Sequence, residues 1–359
     1  MKVLFFPYYP NNPYQPNLAK SLRAHGYEVK GVKDISLLTL IRAMKGINIY
    51  HLHWTHPYIV SDKLWKAVVK AAIFFLILII LKLRGRILIW TVHNLGEHEK
   101  KQQNFELFAH RILARLCGGI IVHSRYARQK VIEQYCLKKH AAKVQIIPHG
   151  HYIGNYPDDM TRERARHMLN LPIGYTVFLF FGQIRDYKGV PELIKAFFHV
   201  LTGKEVLIIA GQPADQKTND NLKTLIGTNT SILYSPEFVP DEKIQLYMKA
   251  ADVVVFPFCD IFTSGSLHLA ISFEKAIIIP ELDSLGWIIE IGGAITFRHE
   301  EIDGLETALK SALTTDLHEL GRRNLKAAKE LSWESIASKT VNMYLKSNNT
   351  KLTDNKTFD

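Results

Sequence analysis

Two loops in the second half of the chain carry residue types suited to holding phosphate. The first lies in VFLFFGQIRDYKG, Val177–Gly189, where Gly182 closes an apolar run and Arg185 and Lys188 precede Gly189. The apolar run Val177–Phe181 predicts a short strand buried on both faces. Pro191–Leu201 follows with a helical pattern, and Pro191 is placed for a first-turn proline. A helix amino terminus offers unpaired N–H groups and the positive end of its dipole, and Arg and Lys add full charges, so the combination suits an anion. A surface loop with solvated cations is the competing reading of this stretch alone. The second loop, Thr263-Ser264-Gly265-Ser266, is rich in hydroxyls and glycine and opens the predicted helix Leu267–Phe273, a further natural anion cradle.

In the first half, residues capable of chemistry gather at predicted strand ends. Ile47–Leu52 leads into His51, His53, Trp54 and His56, and Ile87–Val92 ends at His93-Asn94 with the loop Gly96-Glu97-His98-Glu99 behind it. Gly119–His123 ends at Ser124, and Val144–Pro148 ends at His149-Gly150-His151-Tyr152. Open α/β sheets bind ligands at the carboxyl ends of their strands. A lone His there more often serves structure than chemistry, whereas several at successive strand ends point to a site.

The elements that must position these residues alternate strand with helix, which predicts α/β architecture with doubly wound parallel sheets. The opening VLFFPYY reads as a buried strand, followed by turn-rich PNNPYQP, an amphipathic segment Leu18–His25 and a second strand Tyr27–Val32. No G-x-G-x-x-G follows the first strand, so the usual dinucleotide fingerprint is missing. Polar, basic Pro157–Pro172 reads as a linker with a short helix, which divides the chain into domains over 1–160 and 172–345 with a polar tail at 346–359. In the second half, strand Glu205–Ala210 ends at Gly211, helix Asp241–Ala250 follows the loop Pro236–Pro240, and strand Val253–Pro257 leads to Asp260. Ile277–Pro280 is the last clear strand.

A length of 359 residues suits two domains, and 47% hydrophobic with 22% charged residues is an ordinary globular balance. Cys117, Cys136 and Cys259 are too widely spaced for a disulfide framework or a metal-binding cluster and fit a reducing compartment. The start MKVLFFPYYP is too short and proline-broken for a signal peptide. The net charge of +11 is concentrated: Val60–Arg86 carries six Lys/Arg against one acid, and Lys100–Lys143 ten against two. Such a patch suits a polyanionic partner, either anionic lipid or nucleic acid. Without an aromatic-interleaved basic motif or a binding module, nucleic acid is the weaker explanation and is not expected as a partner.

Ala71–Leu81 (AAIFFLILIIL) is the most apolar run, flanked by Lys63, Lys66 and Lys70 and by Lys82, Arg84 and Arg86. It is shorter than the roughly 20 residues a bilayer span needs. It is either a core helix or a helix partly sunk among headgroups with cationic ends on anionic lipid. A core helix rarely needs to be apolar on every face, which favours the membrane surface, reached through residues 63–86.

In order and spacing, several stretches together make the chain similar to a known family. They are NPYQ (Asn12–Gln15), HLHW (His51–Trp54), WTVHN (Trp90–Asn94), VHS (Val122–Ser124) and IPHGHY (Ile147–Tyr152), then FFGQIRDYKG (Phe180–Gly189), FVPDEKIQLY (Phe238–Tyr247), ADVVVFPF (Ala251–Phe258) and TSGS (Thr263–Ser266). Over nearly its whole length the sequence resembles GT-B fold glycosyltransferases of the GT4-like group, particularly bacterial exopolysaccharide and capsule transferases. The resemblance implies two Rossmann-like domains facing across a cleft. The second would bind a nucleotide sugar, with Arg185 and Lys188 neutralising the diphosphate and Gly182 allowing its close approach. Val239 would contact the base, and Thr263, Ser264, Gly265 and Ser266 would supply donors to phosphate or sugar. The first would hold the acceptor, near Asn12, Tyr14, Gln15, His53, His149 and His151. If the reaction inverts configuration, His93 is the first candidate for the general base, then Glu97 or His98; if it retains, His93 orients the sugar. A His capping a strand end through backbone bonds is the structural alternative.

The sequence departs from the family where many members carry two glutamates: the matching positions hold Phe262 and Ala270. Asp260 or Glu281 would have to take over one role. The implied activity is a hexosyltransferase using a UDP- or GDP-sugar, with no metal or other cofactor. Its acceptor would be a polyprenyl- or lipid-linked saccharide in polysaccharide biosynthesis, met by a cytoplasmic protein peripheral on the inner face of the cell membrane. The alternatives are a non-catalytic nucleotide-sugar or lipid-binding protein, kept open by the missing glutamates, and a GT-B epimerase or phosphorylase, for which the residues carry no special signal.

Overall fold

Short apolar runs between amphipathic segments form two six-stranded parallel sheets in the computed structural model, which describes residues 1–33, 46–96 and 102–354. The first sheet comprises β1 (Lys2–Phe6), β2 (Glu28–Gly31), β3 (Ile49–Leu52), β4 (Ile87–Thr91), β5 (Gly119–Val122) and β6 (Val144–Ile146), in the order β2-β1-β3-β4-β5-β6. Phe5 pairs with His51 and His51 with Ile89, so the carboxyl ends of β1, β3 and β4 lie side by side. The second sheet comprises β7 (Thr176–Phe181), β8 (Glu205–Ala210), β9 (Ile232–Ser235), β10 (Val253–Val255), β11 (Ala276–Pro280) and β12 (Ala294–Phe297), in the order β12-β11-β10-β7-β8-β9. Strand β7 is central, pairing with β8 and β10, and Val177 to Phe181 are buried as the apolar run requires. Phe178, Phe180, Phe197, Leu207 and Ile278 meet in the core of this unit. Strand β12 follows the last strand expected from sequence; its three half-buried positions on a sheet edge give little apolar signal.

The chain divides into two units, Met1–Gly150 with Ser332–Asp359, and His151–Leu331. This corrects the sequence-based boundaries at two places. The stretch expected to be a linker packs into the second unit, because Arg166 on the helix Arg162–Met168 is fully buried there. Its guanidinium meets Asp252 at 2.6 Å and donates to the carbonyls of Ile173 and Tyr175 at 2.7 and 2.8 Å. Residues 333–345, assigned to the second domain, and much of the expected polar tail form one helix, Trp333–Asp354, that belongs to the first unit. Tyr344 Oη lies 2.7 Å from His51 Nδ1, and the Trp333 ring packs where a side chain on Gly150 would stand, 2.4 Å from the ideal Cβ.

The apolar run belongs to a 20-residue helix, Leu64–Leu83. One face, with Ala67, Ala71, Phe74, Ile77, Leu78 and Leu81, is buried in the first unit, where the Phe74 ring stacks on Tyr58 at 5.3 Å. The other face exposes Trp65, Val69, Ile73, Leu76, Ile79 and Leu83, spaced as one stripe of a helix. The buried face fits the core-helix reading, and the other face leaves an apolar stripe exposed. The whole helix, unlike the shorter run Ala71–Leu81 within it, is long and apolar enough to cross a membrane by length and composition only.

Candidate functional site

Strand β7 ends at Gly182, whose φ of +121° excludes ordinary side chains. A Cβ at this position would lie 2.6 Å from Ser266 Oγ and 3.4 Å from Lys188 Nζ. The glycine, the lysine and the hydroxyl loop picked out from sequence thus converge on one point. Lys188 closes the single 3-10 turn Asp186–Lys188, and Gly189 follows at φ +66°. A Cβ on Gly189 would fall 2.0 Å from the Pro257 carbonyl oxygen, so this turn requires glycine. Lys188 is buried and has no ion-pair partner among the described residues; burial, and then the charge of Arg185, lower its pKa to about 8. A buried, unpaired cation is costly, and an anion placed against it relieves that cost. Arg185 is half-buried and its Nε donates to Gln183 Oε1 at 3.2 Å.

Ser264 caps the helix Gly265–Ser272 by accepting the Leu267 N–H at 3.2 Å, so its hydroxyl is engaged. Ser266 is the hydroxyl that faces Gly182. Thr263 Oγ1 is buried with no hydrogen-bond partner among the described residues. The Tyr152 hydroxyl sits 3.6 Å from the ideal Cβ position of Gly265, a neighbour that the sequence reading left without a role. Along the carboxyl ends of β7 and β8 runs a cavity of about 300 Å³ lined by Phe181, Gly182, Ala210, Gly211, Phe238 and Val239. Val239, expected from the resemblance to contact a base, lines this cavity. Phe238, 71% exposed, and Gly211 line the same cavity and were not among the residues expected at a site. A Cβ on Gly211 would meet the Gly182 carbonyl oxygen at 2.0 Å, and a glycine directly after a strand was the available signal.

Asp260 is exposed. The Glu281 carboxylate accepts from Arg298 Nε at 2.7 Å and Thr296 Oγ1 at 2.9 Å, bonds that hold its pKa below the usual range. Ala270, at a matching glutamate position, is fully buried.

In the first unit, Tyr14 is the hub of an aromatic cluster at the carboxyl edge of the sheet. Its ring lies 4.9 Å from His93, 4.9 Å from His149, 5.5 Å from His123 and 5.4 Å from Trp333. His93 stacks on Trp54 at 4.1 Å, and its Nε2 is 3.2 Å from His53 Nδ1. Burial lowers the pKa of His51 to about 3 and of His123 to about 4. His53 and His93 fall well below the usual imidazole range through burial, reinforced by neighbouring imidazoles. His51, His53, His93 and His123 are therefore neutral at pH 7, with tautomers set by the bonds each ring makes.

Other residues expected beside the acceptor are engaged locally. The Asn12 side-chain oxygen accepts the Tyr14 N–H at 3.1 Å. Gln15 is fully buried, donating to the Pro7 carbonyl and accepting from the Tyr9 N–H, each at 2.8 Å. His149 Nδ1 lies 2.8 Å from the Gly150 carbonyl oxygen. His151 belongs to the second unit, and its Nδ1 accepts the Ile153 N–H at 3.2 Å. Glu97 and His98 lie outside the described residues.

At the opposite, amino-terminal edge of the same sheet is a cavity of about 780 Å³. Its lining includes Lys82, Arg86, Arg115, Lys139, Lys143 and Lys346 and, among the described residues, no acid. Burial lowers the Lys143 pKa, and its Nζ donates to the Cys117 carbonyl at 3.1 Å.

The two parallel sheets are those of the GT-B fold, and residues 161–259, which include Lys188 and Val239, match the family described as Glycosyl transferases group 1. Among individual proteins, the chain is 25% identical over 302 residues to the GDP-mannose:glycolipid 4-beta-D-mannosyltransferase of Xanthomonas campestris pv. campestris, covering 83% of this chain and 79% of that relative. Among solved structures it is similar to Anabaena Alr3699/HepE in complex with UDP, with a TM-score of 0.74 at 16% identity over 96% of this chain and 99% of that one. It is also similar to the sucrose-phosphate synthase of Thermosynechococcus elongatus, with a TM-score of 0.71 at 16% identity over 96% and 98%. Together these bear out the resemblance to GT-B glycosyltransferases read from the sequence motifs.

Proposed function

We propose that this protein is a glycosyltransferase that moves a sugar from a nucleoside-diphosphate donor to a lipid-linked saccharide acceptor in polysaccharide assembly. The convergence of Gly182, Lys188 and Ser266 carries this reading. Lys188 and Arg185 neutralise the charge that develops on the departing nucleoside diphosphate, a stabilisation exerted on the transition state itself and one that asks for no metal there. Ser266 and the unpaired amides opening the helix Gly265–Ser272 donate to the same group. The cavity at Val239 and Phe238 receives the base. The Xanthomonas relative is named for GDP-mannose and a glycolipid, and HepE was solved with UDP, so a GDP-sugar is the first donor to test and a UDP-sugar the second.

The acceptor belongs to the first unit, at its histidine edge. A buried, neutral His93 bonded to His53 suits orienting a hydroxyl better than removing its proton, since a depressed pKa makes a weak base. Glu97 remains the carboxylate candidate for that step in an inverting reaction. The exposed stripe of the helix Leu64–Leu83 and the cationic cavity that starts at its end, at Lys82, suit a peripheral protein resting on anionic lipid at the cytoplasmic face of the membrane.

Nucleoside-diphosphate release from a panel of GDP- and UDP-sugars, with and without membrane lipid extract, tests the reading. The expected outcome is release from one donor that depends on the extract. Donor binding without release would establish a non-catalytic binder instead, and isomerisation of the donor sugar without acceptor would establish an epimerase.

A further inference from the structure

The first unit brings together three metal-ligating side chains that no spacing in the sequence connects. Glu106 and His110 stand one turn apart on the helix Gln103–Leu116, so they share a face. His56 opens the short helix after β3. His56 Nδ1 lies 2.5 Å from Glu106 Oε1, His110 Nδ1 lies 4.0 Å from the same oxygen, and all the donor atoms fall within 4.8 Å of one another. The His110 ring is completely buried, stacked on Trp90 at 5.2 Å, and its Nδ1 has no hydrogen-bond partner among the described residues. Its other nitrogen is 3.1 Å from Thr55 Oγ1.

From this geometry we infer a zinc site formed by His56, Glu106 and His110 through two imidazole nitrogens and one carboxylate oxygen. Such a donor set, with a fourth position left for water, suits Zn²⁺ bound tetrahedrally. Ligands about 2.0–2.1 Å from the ion stand about 3.3 Å apart, a value that the 2.5 and 4.0 Å separations bracket. Small ring rotations therefore convert the short His56–Glu106 hydrogen bond into coordination. A Nε2–H of His110 donating to Thr55 would leave the Nδ1 lone pair facing the ion, the outer support that ligating histidines usually have. Coordination through Nδ1 needs the Nε2–H form of His56: a charged ring gives its Nδ1 proton to solvent, and a neutral ring exchanges that proton for one at Nε2. Zinc here ties the segment after β3 to the helix preceding β5, and the inference stands apart from the reading of donor chemistry. It departs from the sequence expectation that the chain holds no metal, because Glu106 and His56 are 50 residues apart.

The test uses tag-free, full-length protein, stripped with chelator and titrated with Zn²⁺ against a chromophoric competitor. One ion per chain is expected, with an unfolding temperature that rises with free Zn²⁺. His56→Ala changes a partly exposed residue, and Glu106→Gln keeps the carboxylate's shape; both should remain folded by circular dichroism. Each should weaken binding by more than the about 10–100-fold that loss of an outer partner costs, the loss expected for Thr55→Val. Co²⁺ loaded in place of zinc should give visible absorption bands that both ligand variants lose. Absence of binding to the wild-type chain, or unchanged binding in His56→Ala and Glu106→Gln, would overturn the site.

Discussion

In the proposed reaction Lys188 carries both the chemistry and its cost. Its ammonium is buried without an ionic partner, which lowers its pKa from 10.5 to about 8. Lys188→Ala should cut turnover by about 10²–10³, the effect of removing one preorganised transition-state donor. Steady-state rates of nucleoside-diphosphate release would measure this, and wild-type kinetics would remove Lys188 from the site. The same pKa produces two opposite pH dependences. Between about pH 8 and 10.5 the unfolded chain holds this proton and the folded chain has released it, so the contribution of Lys188 to stability rises with pH there. Donor binding needs the charged form and should weaken over the same range. In Lys188→Arg the loss of donor affinity should move out of this range, because guanidinium stays charged. That Lys188, Gly182 and Ser266 come together was legible in sequence, since each sits within a few residues of a strand end or helix start. That Gln15 is bonded to the Pro7 carbonyl and the Tyr9 N–H was not, because a side-chain amide at a loop reads the same whichever partner it finds.

At the scale of elements, the helix Leu64–Leu83 defeats the usual sequence signal. Periodicity separates a buried face from a wet one only when the faces differ in polarity, and here both are apolar. Contacts alone distinguish Leu78, fully buried, from Leu76, 56% exposed. Leu76→Glu combined with Ile79→Glu should abolish sedimentation with anionic liposomes and leave the unfolding temperature nearly unchanged, whereas Leu78→Glu should unfold the protein. If the first pair also unfolds it, that face is covered in the folded protein and membrane docking fails.

At the scale of the molecule, the first unit depends on neutral histidines and on the far end of the chain. His51, His53, His93, His110 and His123 all have pKa values lowered by burial. The unfolded chain takes up their protons near pH 6.5 while the folded chain resists until far lower pH, so their contribution is full above 6.5 and falls as pH drops toward about 4 and 3. Thermal scans should show a steep decline over that window. His51 Nε2 lies 2.7 Å from Thr91 Oγ1, and replacing His51 by Gln, which can still bond Tyr344 and Thr91, should flatten part of it. Removing Ser332–Asp359 takes Tyr344 from His51 and Trp333 from Gly150. Hydrogen exchange should then show lost protection in β3, β4 and β5 with β7, β8 and β10 unchanged, and equal protection in both forms would show that this helix does not support the first sheet.

Local pattern alone predicts the alternation of strands and helices, the parallel character of both sheets, and where the glycine- and cation-bearing loops fall. These are short-range properties: hydrophobic period, glycine placement and the chemistry of a helix start are written within about ten residues. Tertiary structure alone decided that the last helix joins the first unit, which apolar face is exposed, and that His56, Glu106 and His110 meet. His51 and Tyr344 are 293 residues apart, and their bond exists only because two distant segments pack on one sheet. The partners of a buried polar group are set by packing at that range, which no local pattern encodes.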